Sequence, residues 1–416
     1  WSIKFQIMIK ALKAHYIITS KSRILKDSSV IIEEDKIKDI VPNKLVSKNK
    51  YKTINLKNAI LMPGFINCHT HLELNWTQKL IEPFSTFPLW LKQIIELKRR
   101  KITNKVLVNS VIDSINESIN SGVTTIGEIS SYDGVDFKPL KKSGLRVVYF
   151  YEFTNSTYGN LNKKFFTDLL EESKNDMFEL RIFPHSLYSL DTNKIKKLLR
   201  LAYEKKLRVA IHLSESIDEV NLTKGKRNGF NEIIFPMIKN KPKIEIINST
   251  PLKLLDEINN EDLDIALVHM NNLNKSDRKI LDKKQYSVII CPRSNMFLNQ
   301  RLPDLDYLLR KKEVGIGTDG LSSNFSIDFL EELKFLYLSS KSIVKKNLEE
   351  NIINKATIDG ARALGIEDKV GSIEKGKKAD LIAFEIRNSN PYLSIINSNK
   401  KDLMMAMVNG KIIKLR

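Results

Sequence analysis

Eight short apolar runs recur through the middle of this 416-residue chain, at 59–62, 123–129, 145–151, 179–183, 208–211, 264–268, 286–290 and 314–317. Most are continuous rather than alternating, the pattern of strands buried on both faces. Helical periodicity fills intervals between them, as over 107–121 and 195–204. Eight such β/α units predict an α/β protein built on a (β/α)8, or TIM, barrel, whose site lies at the C-terminal ends of the strands. The two ends of the chain read differently. Short β-rich segments at 14–19, 29–32 and 36–41 precede the barrel, and similar ones at 379–384 and 407–413 follow it. The last contains Asn409-Gly410, a strong hairpin signal. Together the ends predict a small composite β-sandwich domain from residues 8–58 and 370–416, with 59–369 as the barrel. Met8 opens a strand-like segment and reads as a natural start, with 1–7 as an extension.

At this length a chain can bury a large core, and 42% hydrophobic with 28% charged residues is ordinary for a globular protein. The formal charge of +19 is not ordinary. The lysines, however, are spread in pairs such as Lys163-Lys164, Lys196-Lys197 and Lys345-Lys346, without a basic block interleaved with aromatics. That distribution argues against a nucleic-acid partner and leaves a mild attraction for anionic substrates. Two cysteines, Cys68 and Cys291, cannot build a disulfide framework and fit a reducing cytoplasm. Lys10 and Lys13 break the first apolar stretch before signal-peptide length, and no run is long enough to span a bilayer, so no membrane partner is expected.

The chemistry lies just past the strands. Of six histidines, at 15, 69, 71, 185, 212 and 269, all but His15 sit at or beyond the end of an apolar run. His69 and His71 are related as i and i+2, so in a strand both imidazoles face one side. Strand 4 runs into His185, strand 5 into His212-Leu213-Ser214-Glu215, strand 6 into His269 and strand 8 into Thr318-Asp319. Imidazoles with a carboxylate suit Zn²⁺ or Fe²⁺ better than Mg²⁺ or Ca²⁺, which prefer oxygen shells. One divalent ion is therefore expected on His69, His71, His212 and Asp319, where it makes hydroxide available from water near pH 7. His269 is placed to orient that water, and Asp319 to hydrogen-bond it. Glu215, three residues beyond a ligand, can carry a proton between water and substrate. Each has a purely structural alternative: His185 or His212 as a satisfied core histidine, Glu215 as a helix cap, Asp319-Gly320 as a turn.

Pro63-Gly64-Phe65-Ile66-Asn67-Cys68-His69-Thr70-His71, His212-Leu213-Ser214-Glu215, His269 and Gly317-Thr318-Asp319-Gly320-Leu321-Ser322-Ser323-Asn324 together resemble the amidohydrolase superfamily, in its adenosine-type deaminase and chlorohydrolase branch. The similarity covers nearly the whole chain. It implies a mononuclear site, because binuclear relatives carry a carboxylated lysine on strand 3 or 4, and neither 149–152 nor 181–184 holds one. His71-Leu72-Glu73-Leu74, the segment 84–91 and Tyr151-Glu152-Phe153 look most like aminodeoxyfutalosine deaminases. That likeness implies hydrolytic deamination of a 6-aminopurine nucleoside, aminodeoxyfutalosine to futalosine in menaquinone biosynthesis. S-adenosylhomocysteine, methylthioadenosine or guanine deamination and triazine dechlorination use the same machinery. Nucleoside-acting relatives hold ribose hydroxyls with a carboxylate after the first motif, which points to Glu73. Trp90, His185 and Ser322 complete the implied substrate contacts. Leu187 stands where relatives usually have Pro, which alters the expected loop around His185. Relatives of this kind are often dimers, so a homodimer is among the implied assemblies.

Overall fold

The structure, a computed structural model, describes residues 9–19, 23–47, 51–173 and 175–416; the expected start at Met8 and the extension 1–7 lie outside the described residues. The chain opens with β1 (Ile9–Ile18), β2 (Ile24–Glu33), β3 (Lys36–Pro42), β4 (Lys52–Asn55) and β5 (Ala59–Pro63). Eight parallel strands follow: β6 (Phe65–Thr70), β7 (Val123–Ser130), β8 (Arg146–Phe153), β9 (Phe178–Pro184), β10 (Val209–Leu213), β11 (Ile265–His269), β12 (Ser287–Ile290) and β13 (Val314–Ile316). They close into a barrel, with β13 returning to β6 through Ile316 and Asn67. Ile66, Val148, Phe150, Phe183, Ala210, Val268 and Ile289 fill its interior. This is a packed core rather than a channel, as such barrels require.

The chain ends in β14 (Leu381–Glu385), β15 (Leu403–Val408) and β16 (Lys411–Leu415), which join the first five strands. The expected sandwich is realised as one eight-stranded sheet, β16-β15-β14-β5-β1-β2-β3 with β4 also on β1. Antiparallel pairing of β5 with β14, from Ala59↔Glu385 to Pro63↔Leu381, joins the termini edge to edge rather than face to face. Leu12, Val30, Ile32, Leu61, Leu381 and Met405 share its core. The β15–β16 turn is Asn409-Gly410, with φ of 49° and 72°; two positive φ values are what a two-residue hairpin of this hand needs.

One boundary differs from the sequence reading. The run 59–62 belongs to the terminal sheet, and the first barrel strand is β6, so the change of domain falls near Pro63-Gly64 instead of after residue 58. Both runs are apolar and fully buried, so periodicity cannot separate them. Gly64 permits the crossing: a Cβ there would lie 2.0 Å from Thr124 Oγ1.

Helices cover the barrel exterior. Two stand between β6 and β7: α1 (Phe87–Lys98), which has Pro88 in its first turn, and α2 (Asn104–Asn120). Among the described residues no helix is long and apolar enough to cross a membrane. Barrel and sheet are locked by one buried ion pair. Arg146, the first residue of β8, donates from Nε to Asp380 Oδ2 at 2.8 Å and from a terminal nitrogen to Oδ1 at 3.2 Å, and Asn409 N–H donates to the same Oδ1 at 2.7 Å. Removing one member of a buried pair strands the other charge, so Asp380→Ala is expected to lower stability by about 3–5 kcal/mol. The midpoint of urea unfolding reads this out.

Candidate active site

Closure of the barrel creates the site. Asn67 on β6 accepts from Thr318 N–H at 3.0 Å and donates to Thr318 Oγ1 at 2.8 Å, while Asp319 N–H donates to the His69 carbonyl at 3.0 Å. These bonds tie the last strand to the first and bring Asp319 beside His69. Glu128, on β7, accepts from Thr70 Oγ1 and, at 2.8 Å, from Leu72 N–H. It thereby grips the residues on both sides of His71, one by its hydroxyl and one by its backbone N–H.

His69, His71 and His212 converge as buried neighbours whose donor atoms lie within 4.8 Å of one another. His212 Nε2 is 3.2 Å from His69 Nε2 and 3.4 Å from His71 Nε2. Asp319 Oδ1 is 3.6 Å from His69 Nε2 and 3.7 Å from His71 Nε2. Four donors around a zinc-sized ion with bonds near 2.0–2.1 Å stand about 3.3 Å apart at the corners of a tetrahedron, so the residues fit a single divalent ion. Their chemistry fits too. His212 Nδ1 lies 3.0 Å from the His185 carbonyl, so it donates there and leaves the Nε2 lone pair facing the cluster. Burial and the neighbouring imidazoles hold His71 and His212 well below the usual histidine range, in the neutral form that binds metal. Burial pushes Asp319 up, but His69, His71 and His269 outweigh it and keep the carboxylate ionised. Its other oxygen accepts from Ser294 and Ser323 hydroxyls, each at 2.7 Å.

Beside this cluster lies a small cavity of about 50 Å³. His71, His212, Glu215, His269, Asp319, Trp90, His185 and Ser322 all line it. Glu215 Oε1 is 3.4 Å from His269 Nε2. Burial and the charges of Asp319 and Glu219 raise the Glu215 carboxyl well above its usual range, which favours its protonated form. Glu219, itself pushed up to about 8 by burial, accepts the Glu215 N–H at 2.9 Å. Burial lowers His269 to about 4, against the pull of Asp319. Ser214, His269 and Asp319 carry φ of 52°, 77° and 60°. Such left-handed residues at strand ends are strained, and strain of this kind gathers at functional sites.

His185 is held by Ser186 and Ser189 hydroxyls, each 2.9 Å from Nδ1, with Nε2 3.9 Å from Glu152 Oε1. Leu187, in place of the usual proline, is buried in the barrel core, so the loop is fixed by packing. Trp90 Nε1 donates to the Ser322 carbonyl at 2.7 Å, clasping α1 to the loop after β13.

Glu73 does not meet its expectation. The short turn Leu72–Thr77 carries it away from the cavity, where it is fully buried. Its Oε2 accepts from Ser131 and Tyr132 N–H at 2.6 and 2.8 Å, and burial together with Asp136 raises its pKa. It anchors the loop after β7 instead of facing a sugar. The cavity carboxylate that sequence reasoning passed over is Glu152, at the end of β8, with Lys98 of α1 nearby. The signal was a charged residue closing a continuous apolar strand, at the barrel end where sites form.

The amidohydrolase family profile matches residues 60–413. A 5′-deoxyadenosine deaminase of Methanobrevibacter smithii is 31% identical over 385 residues, covering 89% of this chain and 83% of that protein. A 5-methylthioadenosine/S-adenosylhomocysteine deaminase of Thermococcus onnurineus is 27% identical, covering 97% and 93%. Among solved structures, Helicobacter pylori aminofutalosine deaminase is similar at 25% identity and a TM-score of 0.81, covering 97% of this chain and 100% of that one. An adenosine deaminase of Xanthomonas campestris with bound zinc shares the fold at 22% identity and a TM-score of 0.82, covering 97% and 92%. With its metal-type histidine cluster and its closed barrel, the chain belongs to the amidohydrolase family and is a hydrolase acting on carbon–nitrogen bonds.

Proposed function

We propose that this chain is a hydrolytic deaminase of 6-aminopurine nucleosides, with aminodeoxyfutalosine as the substrate and menaquinone biosynthesis as the setting. The observation that carries the deaminase reading is a buried Glu215, 3.4 Å from His269, lining the same cavity as His71, His212 and Asp319 of the four metal-type donors. His69, His71, His212 and Asp319 would hold zinc or iron(II), both of which accept this donor set. Such an ion makes water acidic enough to attack the ring near pH 7.

The chain's own groups handle the protons and the orientation. Glu215 donates its proton to the ring nitrogen beside C6, which localises charge away from the carbon under attack. His269, neutral at working pH, and Asp319 accept hydrogen bonds from the attacking water. Asp319 would take the proton the attacking water gives up and pass it to the departing amine, and the proton of the new C6 hydroxyl would return to Glu215, so ammonia leaves and the 6-oxo product remains. His185, Trp90 and Ser322 bound the space for sugar and arm, and Glu152 takes the role of hydroxyl acceptor first read into Glu73. The similarity to the Helicobacter pylori enzyme supports the narrow substrate. The relatives that act on 5′-deoxyadenosine and on methylthioadenosine or S-adenosylhomocysteine favour a second reading, the same reaction on a nucleoside with another 5′ group.

A spectrophotometric screen for the 6-amino to 6-oxo shift tests the function. Nucleosides are expected to outrun free adenine and guanine, and aminodeoxyfutalosine to lead. Turnover of guanine or a chlorotriazine with aminodeoxyfutalosine untouched would sink the narrow reading. For the metal, elemental analysis is expected to find one divalent ion per chain, largely lost in His212→Ala and retained in His185→Ala. Full occupancy in His212→Ala would remove that residue from the ligand set. Glu215→Gln is expected to keep the metal and still bind the product, yet turn over at least about a hundredfold more slowly. Near-normal turnover would reduce Glu215 to a structural role.

A further inference from the structure

The main chain of Glu215 is clamped on both sides. Its N–H donates to Glu219 Oε2 at 2.9 Å, and its carbonyl accepts from Asn271 Nδ2 at 3.0 Å. Glu219 lies in the first turn of the short helix Ile217–Thr223, whose cap Ser216 accepts the Glu219 N–H at 3.2 Å. In a capping box the acid at this position bonds back to the N–H of the cap residue; here it reaches one residue further, to Glu215. The freedom that remains is that of the carboxyl group. Oε1 lies 3.4 Å from His269 Nε2, and the Tyr188 hydroxyl donates toward Oε2 at 3.4 Å. Tyr188 and Glu215 are both buried and both line the cavity. The Tyr188 ring stacks on Phe230 at 4.4 Å between centroids, meets Phe87 of α1 edge-on at 5.8 Å and His185 at 5.7 Å. That packing asks only for a ring. A buried hydroxyl needs a polar partner besides, and the one it donates to is the catalytic acid. Burial, with Glu215 and Glu219 close by, pushes the phenol well above its usual range, so it stays protonated as a donor.

We propose that Tyr188 is a positioning residue for the general acid: its hydroxyl holds Glu215 Oε2 as the unprotonated oxygen and so places the acid proton on Oε1, on the His269 side of the cavity. The inference rests on the deaminase reading above and adds a residue to its proton transfer. A neutral carboxyl has one oxygen that only accepts and one that carries the proton. A donor fixed at Oε2 makes that oxygen the acceptor and leaves the proton to Oε1. In the transfer the Oε1–H bond breaks, the proton passes to the ring nitrogen beside C6, and the electron pair stays on Oε1. Tyr188 keeps its own proton throughout. Its bond to Oε2 strengthens as the carboxyl becomes a carboxylate, because a hydrogen bond to an ionised acceptor is the stronger kind. An interaction that grows along the reaction lowers the barrier rather than tightening the ground state. The 3.4 Å separation is longer than a closed O–H···O bond, and catalytic hydrogen bonds of this kind tighten in the substrate complex.

The test measures kcat, KM and metal content of the metal-loaded enzyme on the 6-aminopurine nucleoside that the wild type turns over fastest. Tyr188→Phe keeps the ring and its packing and removes the hydroxyl alone. It is expected to retain its metal and to lower kcat about tenfold, the scale of one hydrogen bond. KM should stay within about twofold, because the lost interaction belongs to the transition state. A double variant separates positioning from structure. In Glu215→Gln there is no acid proton to place, so adding Tyr188→Phe should cost less than about a further twofold. An equal loss in both backgrounds would show that Tyr188 acts through the fold or on the substrate directly, and would overturn the inference while the deaminase reading stands. An unchanged kcat in Tyr188→Phe, with or without a raised KM, would overturn it as well. If the wild-type enzyme deaminates no nucleoside, the deaminase reading itself fails and the inference falls with it.

Discussion

Three imidazole nitrogens and a carboxylate oxygen crowd one buried space, with neighbouring donor atoms 3.2–3.7 Å apart, and the Nδ1 atoms of His69 and His71 have no hydrogen-bond partner. Three imidazoles and a carboxylate packed this closely away from water are the donor set that a divalent cation satisfies. The barrel is organised around that requirement. Residues from β6, β10 and the loop after β13 are far apart in sequence, and ring closure between β13 and β6 brings them into register. The Asn67–Thr318 pair and the Asp319 bond to the His69 carbonyl make closure and site assembly one event.

The same low-dielectric setting divides the titratable groups by role. Asp319, surrounded by imidazoles, is held well below the usual carboxylate range, while burial, helped at Glu215 by Asp319 and Glu219, pushes Glu215 well above it and Glu219 up to about 8. Pairs of like groups driven apart in pKa are the usual basis for acid–base work at neutral pH. A second set of buried acids, Glu73, Glu128 and Asp136, supports the site without touching the cavity. Glu128 grips the histidine segment and Glu73 the loop after β7. These acids accept from backbone amides and from buried hydroxyls, and a carboxylate next to the first motif reads the same in sequence whether it does this or faces a substrate.

What the sequence made legible follows from burial. Strands covered on both faces read as unbroken apolar runs, so seven of the eight barrel strands could be placed within a few residues, and the ligands stood at their ends. The first was misplaced because β5 and β6 are equally apolar and only the pairing partner distinguishes them. The terminal sheet was recognisable from its β-rich segments and its Asn-Gly turn, but whether eight strands stack as layers or join edge to edge depends on long-range pairing that no local pattern encodes. Glu73 and Glu152 show the same limit at the scale of one side chain. Both are acids next to motif residues, and the direction of a six-residue turn sends one into the protein while a strand end delivers the other to the cavity. Lys98 was readable only as one of many lysines until α1 was laid over the barrel mouth.

The central claim is that His69, His71, His212 and Asp319 form one mononuclear metal centre at the floor of the cavity. Anomalous diffraction from crystals of the protein grown with one equivalent of zinc tests it most directly. A single anomalous peak is expected about 2.0–2.2 Å from the Nε2 atoms of the three histidines and from Asp319 Oδ1. Two peaks in the cavity, or a peak held by other residues with these four left apart, would contradict it.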